Sequence, residues 1–323
     1  MITTSSGPAL TIEFAMTSSP GGLPLKFLKI IGAGLLLVLL GACSAVKLAY
    51  NNGHELAWWY LSDYLDVQGD DSTVLRQAVH QVHEWHRREQ LASYVDLMRS
   101  WQRPLSGNLS RDQVCRMIDE VWQRAAALPD LVQALDTPSL QLLSRLSPQQ
   151  LAEMEREFAK SNRKFREKYV DVSPQDLLRA RVDSGLSRAR WLYGSLGRDQ
   201  EQALRGALMA SPWDTRQSLA SRIKRQQDIV LTLRQMSQSR ATPEQARNAL
   251  RELLLRQFDP QEPAERERVA ALRQQSCTVL AQLHASTTQA QRSKAQETLA
   301  QTATDLASLL PGVPATQTQA RQP

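Results

Sequence analysis

Glycine is scarce in this chain: it has fourteen in 323 residues, and eight of them fall at or before position 69. Alternating apolar and polar runs rich in Val, Ile and Thr are also hard to find. Both absences argue against a β architecture. Ala, Leu, Gln, Arg and Glu dominate instead, residues that lose little on entering a helix. The expected class is all-α, a multi-helix bundle or irregular helical array. There is no nucleophile constellation, no metal motif and no nucleic-acid recognition motif, so no cofactor is expected and nucleic acid is not expected as a partner.

A bilayer-spanning run is missing too. The longest apolar stretch, Ile30 to Ala42, has 13 residues, where a spanning helix needs about 20. Lys26 and Lys29 precede it and small residues end it, which is the grammar of a secretory signal peptide. Leu40-Gly41-Ala42-Cys43 resembles the lipobox of bacterial lipoproteins. The resemblance implies that the Cys43 thiol takes a diacylglyceryl group, that the chain is cut before it, and that the new N-terminus is acylated. Ser44, a non-acidic residue, implies by the same resemblance sorting to the outer membrane. The expected organisation is therefore a signal peptide over 1–42, a helical domain over 43–310 as one body or two sub-bundles, and a disordered tail over 311–323 rich in Pro, Thr and Gln. Met16 opens a more ordinary signal peptide, so residues 1–15 read as an over-called start.

Cleavage before Cys43 removes Lys26, Lys29 and Glu13 and leaves a net charge of +5. A mild basic excess of this size is met by solvated helix faces, and it also suits anionic lipid or cell-wall polymer. Cysteine is rare as well. Beyond Cys43 only Cys115 and Cys277 remain. In an oxidising compartment they either pair, closing a long loop, or stay two separate buried thiols among apolar helix positions. The sequence leaves both open.

What is present in abundance is helix punctuation. Ser110…Gln113, Ser147-Pro148…Gln150, Ser173-Pro174…Asp176, Ser211-Pro212…Asp214 and Thr242-Pro243…Gln245 each read as a hydroxyl cap answered by a polar residue three positions on. The long predicted helices run over 46–67 with an interruption at 51–53, 73–103, 111–128, 148–170, 174–196, 198–209, 212–237, 243–258, 262–284 and 288–310. Two short helices broken at Pro138 are expected over 130–145. Short links between such helices imply antiparallel neighbours.

The densest polar cluster runs from His80 to Gln90. Leu75, Ala78, Val79, Val82 and Trp85 share one helix face; Leu91, Tyr94, Met98, Trp101 and Leu105 share another, rotated by well over 90°. The switch falls on His86–Gln90, so the helix either kinks there or meets different partners at its two ends. His86 and Glu89 stay in line with the first face, three apart, and form the one candidate acid/base pair. Arg87, Arg88 and Trp85 are candidate binding residues for a phosphate or carboxylate. His80 and His83 are candidate ligands of a metal site that lacks an evident third member. A buried His–Glu–Arg network that fixes helix register accounts for the same residues without chemistry. Farther back, Trp58, Trp59, Tyr60 and Tyr64 suit either a core or a membrane interface.

Trp85-His86-Arg87-Arg88-Glu89-Gln90-Leu91, with Lys47-Leu48-Ala49-Tyr50-Asn51-Asn52 and Trp58-Trp59, resembles a family of uncharacterised Gram-negative lipoproteins. The resemblance implies an exported, anchored helical protein and brings no catalytic residues. The functional expectation is a binding, scaffold or chaperone-like lipoprotein on the periplasmic face of the outer membrane. Its partners would be the membrane through Cys43, and envelope proteins or cell-wall polymer. The competing expectation is an envelope hydrolase acting on cell-wall or lipid material through His86 and Glu89.

Overall fold

The computed structural model describes residues 45–312; the segment expected to be a signal peptide, Cys43 and the expected tail beyond Gly312 lie outside that range. Among the described residues the protein is helical with no strand, as the composition demands. None of its helices is long and apolar enough to cross a membrane.

The helices enclose two main apolar cores, and the chain visits them alternately. Following α1 (Ala45–Asn51), α2 (Gly53–Leu65) and α3 (Gly69–Trp85) build the first core. A π-helical turn, His86–Gln90, leads into α4 (Leu91–Gln102), which with α5 (Arg111–Ala125) enters the second. A 3-10 segment (Leu128–Ala134), α6 (Thr137–Leu143) and α7 (Pro148–Tyr169) return to the first. Next, α8 (Pro174–Tyr193) and α9 (Arg198–Met209) go to the second. Then α10 (Thr215–Gln238) and α11 (Pro243–Phe258) complete the first, and α12 (Pro263–Ala285) and α13 (Gln289–Ala307) complete the second.

Leu75, Val132, Leu140, Leu146, Leu151, Val230 and Leu250 meet in the first core. Leu105, Val114, Tyr193, Leu283 and Leu299 meet in the second, with Val182, Leu186 and Leu204 as a satellite between α8 and α9. That satellite is tight: a Cβ on Gly185 would come within 3.2 Å of Leu208 Cδ1. Cys115 of α5 and Cys277 of α12 are joined in a disulfide, across 162 residues of sequence.

Helix ends follow the sequence punctuation closely. Ser110, Ser147 and Thr242 each close a reciprocal cap with the glutamine three residues on, and Thr288 with Gln291 adds another. At two caps the glutamines do more than cap. Gln200 reaches back to the Gly197 N–H, Gln291 to the Thr288 N–H, and the two side-chain amides pair reciprocally at 2.9 Å. That pairing ties the start of α9 to the start of α13.

Several boundaries differ from expectation, among them the start of α3, which opens at Gly69 and not at residue 73; two of the differences trace to capping. Pro138 does not break a helix but sits in the first turn of α6, where its missing N–H costs nothing; Asp136 is the cap, accepting from the Ser139 N–H. Similarly, α10 opens three residues later than Ser211-Pro212 suggests. The Asp214 carboxylate accepts from Arg216 and Gln217 N–H and outcompetes the serine.

The rotated faces of the 73–103 segment find their explanation in the π turn. The Leu91 N–H bonds to the His86 carbonyl, five residues back. Closing on the fifth residue means about 4.4 residues per turn instead of 3.6, so five such residues under-rotate by roughly 90° in total. One extra residue is absorbed, and the second apolar face comes back nearly into line with the first. The partners differ as well: α3 packs on α2, α6 and the 3-10 segment, whereas α4 packs along α13.

Candidate functional site

His80 and His83 lie on α3, and His86 opens the π turn that continues it. Tyr50 at the end of α1 and His54 at the start of α2 are four apart and face them. The rings interdigitate into a ladder. His54 lies 5.4 Å from His80 and 5.2 Å from His83; Tyr50 lies 4.8 Å from His83 and 5.8 Å from His86; His86 lies 5.5 Å from Tyr94.

Hydrogen bonds fix part of this stack. His83 Nε2 is 3.0 Å from the Tyr50 carbonyl. A carbonyl only accepts, so Nε2 carries the proton. His83 Nδ1 is then buried without a hydrogen-bond partner, 3.6 Å from a Glu84 carboxylate oxygen. The Tyr50 hydroxyl and His86 Nδ1 are 2.8 Å apart. Arg87 donates to Asn51 Oδ1 at 2.9 Å and lies over the Tyr50 ring, while its Nε, like His54 Nδ1 and Trp58 Nε1, is buried and unpartnered. Burial pushes the pKa of His83 and of His86 down, and each is lowered further by a neighbouring basic group, Arg87 for His83 and His83 for His86. Burial raises Tyr50 and Tyr94.

Several sequence candidates do not converge. Glu89 is exposed beside Arg88, and His86 points to Tyr50 instead. The reason is the π turn, which carries residue 89 roughly 50° away from its α-helical place relative to residue 86; Gln90 takes the buried position. The acid/base pair is therefore not formed. His80 and His83 are separated by the His54 ring. Among the described residues no three His, Cys, Asp or Glu side chains come together to hold a metal. Trp85 is buried, Arg87 belongs to the ladder, and Arg88 is exposed. Sequence reasoning missed Tyr50, His54 and Tyr94 as members. For Tyr50 and His54 the signal was their four-residue spacing across the α1–α2 break, matched to the three-residue spacings of His80, His83 and His86; Tyr94 carried none.

A second concavity lies elsewhere on the first core. Between α7, α10 and α11 runs a groove of about 780 Å³. Phe158, Ala159, Ile223, Val230 and Leu231 give it apolar walls. Its rim is ion-paired: Glu155 with Arg234, Asp228 with Arg256, Glu262 with Lys224. Arg225, also on the rim, has no carboxylate within 4 Å among the described residues, and its pKa is lowered by burial and then by Arg222.

These features define an all-helical protein whose polar site is a ring stack and whose large concavity is apolar. The chain belongs to DUF6279, a family of unknown function, whose model matches residues 63–258. The match begins inside α2 and ends at the last residue of α11. It includes His80 and His83 of α3, the π turn with His86, and the groove helices, but not Tyr50 or His54. No curated protein and no solved structure matches the chain.

Proposed function

We propose that this protein is a lipid-anchored envelope protein that works by binding, holding an apolar or amphipathic segment of another envelope protein in the groove between α7, α10 and α11. The observation that carries the reading is the groove itself: apolar walls suited to a side-chain stripe, edged by pre-paired charges that leave one arginine for an incoming carboxylate. The hydrolase reading rested on His86 and Glu89, which stand apart, so it is not carried forward.

The compartment is proposed on separate grounds. The Lys26–Ala42 signal pattern, Cys43 after Leu-Gly-Ala and the non-acidic Ser44 support an anchor on the periplasmic face of the outer membrane. The Cys115–Cys277 disulfide is in keeping with an oxidising compartment. Two experiments test the proposal. A Cys43→Ser chain should leave the membrane fraction, and globomycin should block processing of the parent. A photo-crosslinker replacing Leu231 should trap a partner in intact cells, while one replacing Trp191, which is at least as exposed, should not. Equal trapping at both positions would defeat the groove.

A further inference from the structure

α2 has an unusual outer face. A helix lying on a core normally turns charged and polar residues to water. α2 does bury Tyr64 and Leu65 and lays Ala57 and Trp58 against the first core. Its outward positions, however, are Leu56, Trp59 and Tyr60, spaced three and four apart and 65%, 62% and 53% exposed. Leu48 on α1, eight residues before Leu56, is 65% exposed as well. The nearby carboxylate of Glu55 is already paired with Arg76. Asp63 is the one charge that continues the stripe.

Sequence position says what covers it. Leu48 is five residues after Cys43 and Tyr60 seventeen. Five residues reach at most about 17 Å, so acyl chains on Cys43 would hold the start of the stripe near the lipid surface. Trp and Tyr next to Leu is the composition that settles at the headgroup level. We propose that Leu48, Leu56, Trp59 and Tyr60 rest in the headgroup layer of the bilayer that takes the acyl chains of Cys43, so that anchor and stripe together fix which way the helical array faces. The inference rests on the lipid-anchor reading and adds a second, non-covalent contact to it.

The test uses the full-length protein purified from membranes and reconstituted into phosphatidylethanolamine–phosphatidylglycerol vesicles with brominated acyl chains, which quench tryptophan at the bilayer. Mass spectrometry of the N-terminal peptide scores acylation of Cys43 separately. The parent should be quenched, and Trp59→Phe should remove at least half of the quenched signal. Trp122→Phe and Trp191→Phe, exposed on α5 and α8, should leave it unchanged. Leu56→Glu with Tyr60→Glu should weaken the quenching of Trp59 without touching the tryptophan. Quenching that survives Trp59→Phe, on a chain shown to be acylated, overturns the stripe and leaves the anchor standing. An unacylated Cys43 with Trp59-dependent quenching overturns the anchor and leaves the stripe.

Discussion

The molecule contains two tyrosine–histidine pairs of nearly the same length, Tyr50–His86 at 2.8 Å and Tyr193–His284 at 2.9 Å, and they are built to different ends. In the second core His284 is 1% exposed. Its Nε2 is 2.8 Å from the Gly107 carbonyl and therefore donates, so its Nδ1 accepts from the Tyr193 hydroxyl. Both nitrogens are used. Tyr193 is pushed up to about 12 by burial. The pair staples α8 and α12 to the loop before α5, close to the helices the disulfide joins. In the ladder, by contrast, two histidine nitrogens and an arginine nitrogen are buried with no partner. The first arrangement is closed and structural. The second retains hydrogen-bonding capacity at the place where the chain departs from α geometry, which is where π turns often mark function.

That contrast can be broken from its closed side first. Replacing Cys115 and Cys277 together by serine releases a 162-residue loop and should cost about 5 kcal/mol in the chain-entropy model. Urea titrations of the parent, the double variant and the reduced parent measure it; a loss under 1 kcal/mol would show that the α5–α12 contact holds without the bond. His284→Ala comes next. It strands the buried Tyr193 hydroxyl, removes the donor to the Gly107 carbonyl and empties a fully buried side-chain site, and about 3 kcal/mol should be lost.

Acid should act on both regions. Burial holds His83, His86 and His284 below the ordinary histidine value of 6.5 in the folded chain. As pH falls through 6.5 the unfolded chain takes up protons first, so stability is full above that value and declines below it until the folded-state pKa values are passed. The urea midpoint at pH 5 should lie below that at pH 7.5. Protonated His83 would find Glu84 at 3.6 Å to offset Arg87, whereas the charged neighbour of His284 is Arg292, with no carboxylate against it among the described residues. Hence His284→Phe should flatten the pH dependence more than His83→Phe does. At the small end, His86→Phe leaves the Tyr50 hydroxyl within reach of water and should cost about 1 kcal/mol or less. A cost equal to that of His284→Ala would erase the distinction between the pairs.

Local structure was legible in the sequence because caps and apolar spacing are local. Ser147 with Gln150 and Thr242 with Gln245 marked their helices to the residue. The errors at Pro138 and Ser211 came from competition between neighbouring caps, which turns on tertiary fit. The phase slip at His86–Gln90 was also visible, but not its outcome, since a kink, a change of partner and a π turn all satisfy the same spacing. The ladder needed the packing of α1 and α2 on α3, a contact between segments about thirty residues apart. The groove was not legible at all, because nothing in the local spacing of Phe158 and Leu231 shows that the packing of α7, α10 and α11 leaves a concavity between them. The alternation of the chain between two cores likewise follows from long-range pairing that no window reveals.

The account depends most on the π turn absorbing one extra residue so that Leu75 and Val79 on one side and Leu91 and Val95 on the other can all be buried. Two single-residue deletions measured by urea unfolding test this directly. Deleting exposed Arg88 should restore a regular helix with both flanks in place, keeping stability within about 1 kcal/mol of the parent. Deleting exposed Asp96 inside α4 should rotate Met98, Trp101 and Leu105 by about 100° out of the second core and cost about 3 kcal/mol or more. If loss of Arg88 unfolds the protein as severely as loss of Asp96, the wide turn is not what joins the two cores.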